Sequence, residues 1–436
     1  MSDVWGNGDP GDRVAIVAGL RTPFTKAGTD LRDMRTVDLG AAVVKELLAR
    51  TEVPAKEVTL CVYGQVVPSL DWLNVAREVV LRSGLPKTTD AFSVSRACAT
   101  SIQALTTAIE AIRSGHHDVA IAGGADSMSD VPLGASKRLT AALMAAQKAK
   151  GLGAKVQAFA KVSPKDLLPS VPGFSREPMT GEQMGEAAEK MAKLNGVTRD
   201  EQDRIALASH RNAARAWADG TYAAEVMHVL PPPYEKAVAK DNLVRDDTTL
   251  PALAKLPPVF DKRHGSITAG NASPLTDGAS ALLLMRASKA KALGFAPLGY
   301  VRSWAYAAVD PGWQLLMAPV FAVPVALARA KVTLRDMGLV DMHEAFAAQV
   351  ASNLRALSSP KFYEEHTGKH EAPGDVNPDI LNVNGGSIAL GHPFAATGGR
   401  MVLSTLRELK KREQRLGLIT ICAAGGLGVA VVLEAA

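Results

Sequence analysis

The chain has 436 residues, of which 47% are hydrophobic and 21% charged. That is enough apolar material for two or three buried cores, and it excludes a disordered or low-complexity polymer. A formal charge of +5 permits an anionic ligand without calling for nucleic acid, and neither RNA-binding aromatic signatures nor zinc-finger spacings occur.

Met1–Arg13 has no basic start followed by an apolar run, so no signal peptide is expected, and every apolar run is short for a membrane span. Cys61, Cys98 and Cys422 form no CxxC pair. Sparse, unpaired cysteines suit free thiols in a reducing compartment, which points to the cytoplasm.

Arg13–Leu20 reads as an opening strand, Val37–Ala49 as a helix and Val58–Tyr63 as a second strand. Ser93–Met128 then reads as strand, tight entry, helix and strand. Ile102, Leu105, Ile109 and Ile112 mark one buried helix face, Gly115 its stop, and Val119–Ala122 the next strand. The alternation predicts an α/β fold with parallel strands. Cys98 falls where the helix begins. Unpaired N–H groups and the helix dipole there favour a thiolate, so a pKa below the usual value of about 8.5 is expected. An isolated cysteine is more often a small buried hydrophobe, which is how mid-strand Cys61 reads.

The pattern changes after Asp130. Residues 131–165 contain no acid but carry Lys137, Arg138, Lys148, Lys150, Lys155, Lys161 and Lys165 among apolar residues. Such a segment fits a solvated rim near a phosphate-bearing ligand, or a surface for anionic lipid or an acidic partner. The Pro/Gly-rich stretch Pro169–Pro178 ends it, two helical runs follow at Gly181–Asn195 and Arg199–Asp219, and Ser266–Arg286 reads as a returning strand.

The second half repeats the first. Ala49–Val58 aligns with Ala328–Met337 at a constant offset of 279 residues, and each precedes an apolar strand, Leu60–Tyr63 and Leu339–Met342. A turn, a helix and a glycine-ended strand recur at Cys98–Gly124 and His392–Gly426. The implied organisation is a first half at 1–130 completed by 266–297, an inserted region at 131–265, and a second half at 298–436. Two similar halves packed together would bury a ligand site between them.

Three stretches of the second half concentrate reactive and conformationally special residues: His343–Phe346, Asn384–Pro393 and Cys422–Gly428. The repeat sets each at a strand end or helix start, where α/β sheets carry ligands. The spacing of Gly425–Gly428 is wrong for a dinucleotide loop. His210, His228, His264, His366 and His370 lack metal-ligand spacing, and no metal is expected.

SRACATS around Cys98, HEAFA from His343, NGGSIALGHPFAATGGR and CAAGGLG occur in the order of the thiolase family, and TAGNASPLTDGAS at Thr268–Ser280 is similar to its pantetheine-side stretch. The chain resembles that family from about Arg13 to Glu434. HEAF in place of the commoner NEAF, with the basic insertion, looks most like the thiolase subunit of fatty-acid β-oxidation multienzyme (trifunctional) complexes. The resemblance implies two duplicated α/β halves in a five-layer αβαβα arrangement with an inserted loop domain. It implies cleavage of a 3-ketoacyl-CoA by coenzyme A, which is a substrate, with no separate cofactor. It also implies a homodimer or homotetramer and association with a hydratase/dehydrogenase (alpha) subunit.

Residue by residue, the resemblance makes Cys98 the nucleophile, His392 its base and Cys422 the second acid/base. His343 would orient a water at the thioester oxygen, with its protonation state open. Backbone N–H groups of Cys98 and Ala424 would form an oxyanion hole; Ala424 stands where glycine is common, but the donor survives that change. Ser273 would touch the pantetheine arm, Met184 and Phe346 would line the acyl channel, and Arg245 would approach the adenine. Glu344 is expected to serve the fold near the site. Rival readings are a biosynthetic acetoacetyl-CoA thiolase, a decarboxylating ketoacyl synthase, which would not need Cys422, and a lipid-binding or scaffold subunit.

Overall fold

The computed structural model describes residues 13–169 and 176–436. The signal-peptide reading of the N-terminus, up to Asp12, and residues 170–175 of the Pro/Gly-rich stretch lie outside them. The first half runs β1 (Val14–Arg21), β2 (Thr25–Lys26), α1 (Thr36–Thr51), β3 (Leu60–Gly64), α2 (Val75–Ser83), β4 (Asp90–Val94), α3 (Thr100–Arg113) and β5 (Val119–Asp126). Helices α4 (Lys137–Lys148), α5 (Leu152–Ala158), α6 (Met184–Leu194), α7 (Arg199–Ala218) and α8 (Leu250–Ala254) precede β6 (Thr276–Arg286). Then come α9 (Ala287–Ala292), β7 (Gly299–Ala308), α10 (Pro311–Gln314), α11 (Ala318–Ala330), β8 (Leu339–Met342), α12 (Ala347–Leu357) and α13 (Pro360–Thr367). The chain closes with α14 (Ser387–Leu390), α15 (Thr397–Lys411), β9 (Leu416–Ala423) and β10 (Leu427–Ala435).

The strands lie in the order β4-β3-β5-β6-β1-β7-β10-β9-β8, with β2 beside β6. β1 and β7 meet at a short antiparallel seam, Ala15 opposite Tyr300 and Ile16 opposite Gly299. Outward from that seam each half sets its first strand, then its last, then the one before, then its second. In the second half a single bridge, Val340 to Leu381, stands where β4 stands in the first. The sequence repeat is thus a repeat of topology.

The sheet is mixed: β1, β3, β4 and β5 run in one direction, as expected for the first half, and β6 and β10 insert against their neighbours. β3/β4, β3/β5 and β8/β9 are parallel, whereas β6 runs antiparallel to both β5 and β1, and β10 to both β9 and β7. β10 follows β9 after only Ala424–Gly426, and so short a connection can only reverse the chain. The returning strand also starts later than expected, at Thr276, leaving Ser266–Leu275 as the loop that carries Ser273.

Alternation along the strands builds five layers. Val119 and Ile121 of β5 face a core shared with Val37, Val44 and Val79 of α1 and α2, while Ala120 and Ala122 face α3 and α15. On the other side Ile419 and Ile421 of β9 face those same central helices, and Leu418 and Cys422 face α11 and α12. All four residues of the predicted α3 face are buried, as are Met401, Val402, Leu406 and Leu409 of α15. Each such side chain contributes about 1.5–3 kcal/mol by leaving water. The central helices approach closely at Gly398, where a Cβ would lie 2.7 Å from Ile102 Cγ1.

The inserted region divides in two. α6 and α7 pack on α12, and Ala187, Ala188 and Met191 join the core of the second half. α4 and α5 pack on each other and bury only Ala142. The insertion is tied to β1 by Arg21, wholly buried and held by Glu225 at 2.9 Å and Asp241 at 2.7 Å. No helix among the described residues is long and apolar enough to cross a membrane.

Candidate functional site

Cys98 lies in the turn between β4 and α3, one residue before the helix N-cap Ala99. Ala97 at φ 44° makes the turn tight, and the Thr100 hydroxyl staples it by donating to Ala97 O at 2.7 Å and accepting from Arg96 N–H at 2.8 Å. The backbone N–H groups of Cys98 and Ala424 lie close enough to the thiol to favour its anion. The expected low pKa is not found. Burial pushes the thiol up to about 12, and the two N–H groups only partly oppose it. Desolvation outweighs the helix N-terminus at this half-buried residue.

His343 follows β8, and its N–H donates to Thr420 O of β9 at 2.9 Å. His392 follows α14 and pairs alongside Leu275, just before β6. The two rings lie 4.2 Å apart, and one ring nitrogen of each, with the Cys98 sulfur, falls within a common 4.8 Å. Nδ1 of His343 bonds Ser387 Oγ at 2.9 Å, and Nδ1 of His392 bonds Thr397 Oγ1 at 2.7 Å. Both Nε2 atoms are buried without a partner. Burial holds His392 down to about 3, helped by the Arg400 guanidinium; burial, then His392 and Arg400, hold His343 well below the ordinary imidazole range. Burial thus favours the neutral form of both rings.

Cys422 ends β9, fully buried. Burial raises its pKa well above the usual thiol value, and the Cys98 thiol adds to the rise. Two residues on, Ala424 heads the β9–β10 turn, whose Gly425 and Gly426 take φ of 81° and 69°. A Cβ at Gly426 would lie 2.3 Å from Val309 O, so glycine is required there on both counts.

Phe346 and Cys422 share one apolar cluster, onto which Met184 and Ala272 pack. Phe260 also meets Phe346 edge-to-face at 6.2 Å. Ser273 is bonded into the same wall, its N–H donating to Ala345 O at 2.9 Å. Arg245 is exposed; its N–H donates to His210 Nδ1 at 3.2 Å, and nothing brings its side chain to the Cys98 cluster. Glu344 is a buried anchor, accepting from Ser209 Oγ, Asn382 Nδ2 and Ile388 N–H.

Sequence reasoning missed several supporting residues. Asp126, at the end of β5, accepts from Val66, Val67 and Ala395 N–H and so ties the first half to the turn after His392; burial raises its pKa to about 7. Glu177, from the insertion, accepts from Gly425 N–H at 3.0 Å. Ser387, Thr397 and Arg400 lay inside the quoted motif, but their partners are set by the fold.

Two family models cover this arrangement: the thiolase N-terminal domain matches residues 14–288 and the thiolase C-terminal domain residues 295–435. The chain belongs to the thiolase family. It is 52% identical over 424 residues to proteins named 3-ketoacyl-CoA thiolase from Yersinia pestis and Yersinia pseudotuberculosis, covering 97% of each chain. Among solved structures, Bacillus anthracis acetyl-CoA acetyltransferase superposes with a TM-score of 0.83 at 31% identity, covering 98% of this chain and 99% of that one. Human mitochondrial 3-ketoacyl-CoA thiolase in complex with CoA gives 0.82 at 29% identity, covering 98% of both.

Proposed function

We propose that the chain is a 3-ketoacyl-CoA thiolase, an acyltransferase that forms acetyl-CoA and a shortened acyl-CoA from a 3-ketoacyl-CoA and coenzyme A. The observation that carries this reading is the convergence of Cys98, His343 and His392 within 4.8 Å, with Ala424 beside them. Relatives from Yersinia carry that activity in their names, and a human relative has been solved with CoA.

At rest the pair is thiol and neutral imidazole, so the proton moves as the carbon–sulfur bond forms. Cys98 Sγ adds to the ketone carbon and its proton passes to Nε2 of His392. The new oxyanion accepts from the N–H groups of Cys98 and Ala424; one such donor contributes about 3 kcal/mol to barrier lowering. The bond between C2 and C3 breaks, leaving an acyl-Cys98 and the enolate of acetyl-CoA. His392 and a water oriented by His343 hold the enolate oxygen, and Cys422 protonates its carbon. Cys422 then takes the proton of the incoming CoA thiol, which attacks the acyl-Cys98; the carbon–sulfur bond to Cys98 breaks and the departing sulfur recovers its proton from His392. Ser273, Met184 and Phe346 line the approach of the pantetheine and acyl chain, with Arg245 at its solvent end.

Partners follow from exposed surface. β4 is a sheet edge with half-exposed residues beside Cys98, suited to pairing with a second copy in a homodimer or tetramer. The α4–α5 hairpin exposes Leu143, Met144, Leu152 and Val156 among its cations, a composition for contact with anionic lipid. Sedimentation equally strong with neutral and anionic vesicles, or absent with both, would remove the lipid contact. The alpha subunit and a cytoplasmic site of action rest on the family resemblance and cysteine usage.

The test is CoA-dependent loss of 3-ketoacyl-CoA substrates from short to long chain, with intact-mass analysis in parallel. Activity across chain lengths supports the reading, and activity on the four-carbon substrate alone would favour the acetoacetyl enzyme. No turnover at any length would overturn it.

A further inference from the structure

Three features of the Cys98 cluster make it a set of metal ligands as well as a catalytic group. Each of its two imidazoles keeps a buried Nε2 without a partner. Each ring is fixed through its other nitrogen by a hydroxyl, Ser387 for His343 and Thr397 for His392. The third group is a thiol, and one atom from each of the three lies within 4.8 Å of the others. A soft sulfur, two imidazoles and outer hydrogen bonds that orient them are the parts of a zinc site with one open position.

We infer that Cys98, His343 and His392 form a three-ligand site for Zn2+ that competes with acyl transfer. A tetrahedral zinc ion sets neighbouring nitrogen and sulfur ligands about 3.3–3.6 Å apart, so closure of about 1 Å from the observed limit seats the ion. As the zinc–sulfur bond forms, the thiol proton leaves to solvent; a water fills the fourth position. Zinc is favoured over magnesium or calcium because the donors are nitrogen and sulfur rather than oxygen. The occupied thiol is neither nucleophilic nor open to alkylation, so the site both inhibits and protects, and a chelator reverses it. His343 is decisive: with the asparagine commoner in the family only two good ligands would remain. The binding claim rests on this geometry and not on the thiolase reading, because its readouts use no CoA compound.

The test titrates the reduced, chelator-treated full chain with Zn2+ against a chromophoric chelator, and with Co2+ as a spectroscopic stand-in. One ion per chain is expected, with tetrahedral cobalt absorption and a sulfur-to-cobalt charge-transfer band. Cys98→Ser should abolish that band, as should alkylating Cys98 in the unmodified chain, which guards against a variant that fails to fold. His343→Asn and His392→Asn should each weaken zinc at least tenfold, and Ser387→Ala about tenfold, whereas exposed His116→Ala should leave it unchanged. Bound zinc should slow iodoacetamide labelling of Cys98. No binding at submillimolar metal, a six-coordinate spectrum without the sulfur band, or equal affinity in all variants would each overturn the inference.

Discussion

The two halves build the same strand order but close it differently. In the second half β9 turns into β10 through Ala424–Gly426 alone, whereas in the first the corresponding strands β5 and β6 are separated by Ser127–Leu275. The short connection is tight, with two successive left-handed glycines, and it sets the Ala424 N–H near the Cys98 thiol. The long one supplies bulk: Met184 and Ser273 beside Phe346, the Arg21 anchor, and the carboxylate of Glu177 that grips the short turn. A duplicated frame thus divides its labour, one copy carrying the short turn and the other packing the insertion against it.

That division can be broken at graded cost. The largest effect is chemical. His392→Asn should lower kcat by about 10²–10⁴-fold with the melting temperature little changed, because it removes the proton acceptor and leaves the core intact. Next comes the tie between the halves. Asp126→Ala leaves the N–H groups of Val66, Val67 and Ala395 without their acceptor, and at about 1 kcal/mol or more for each, roughly 3 kcal/mol of stability should be lost in denaturant unfolding.

The same carboxyl gives a pH signature. Its folded pKa of about 7 lies above the unfolded value of about 3.9, so the native state holds a proton that the unfolded chain has released. Its contribution to stability is full below pH about 4 and falls as pH rises through about 7. Asp126→Asn should flatten that part of the stability–pH curve.

Glu177→Ala tests whether the long connection steadies the short one. It should cost about 1–3 kcal/mol and lower kcat more than it changes KM, since the Gly425 N–H loses its acceptor while the channel stays lined. An unchanged kcat would mean that the turn needs no help. At the small end, Leu152→Ser on the exposed hairpin should shift stability by no more than about 0.5 kcal/mol.

Much of this was legible in the sequence where local chemistry and pattern agree. The α3 face, the strand at Val119–Ala122, the repeat and the reactive trio of Cys98, His343 and His392 all follow from spacing, motif order and resemblance. Strand direction was not legible, because alternating strand and helix leaves open on which edge β6 and β10 insert. The Cys98 pKa was misjudged for a related reason: helix position is local, whereas the desolvation that overrides it depends on how the chain folds around the thiol. Asp126 and Glu177 carry no motif, and their roles exist only through contacts with Ala395 and Gly425, far along the chain.

The central claim is that one cysteine from the first half takes the acyl group while groups from the second half move the protons. The most direct test is intact and peptide-level mass analysis of the Cys422→Ala protein after a single addition of acetyl-CoA or a longer acyl-CoA. An acyl adduct on Cys98, with thiolysis turnover stopped, is the predicted result. An adduct on Cys61 or on no cysteine, or full turnover without Cys422, would contradict the account.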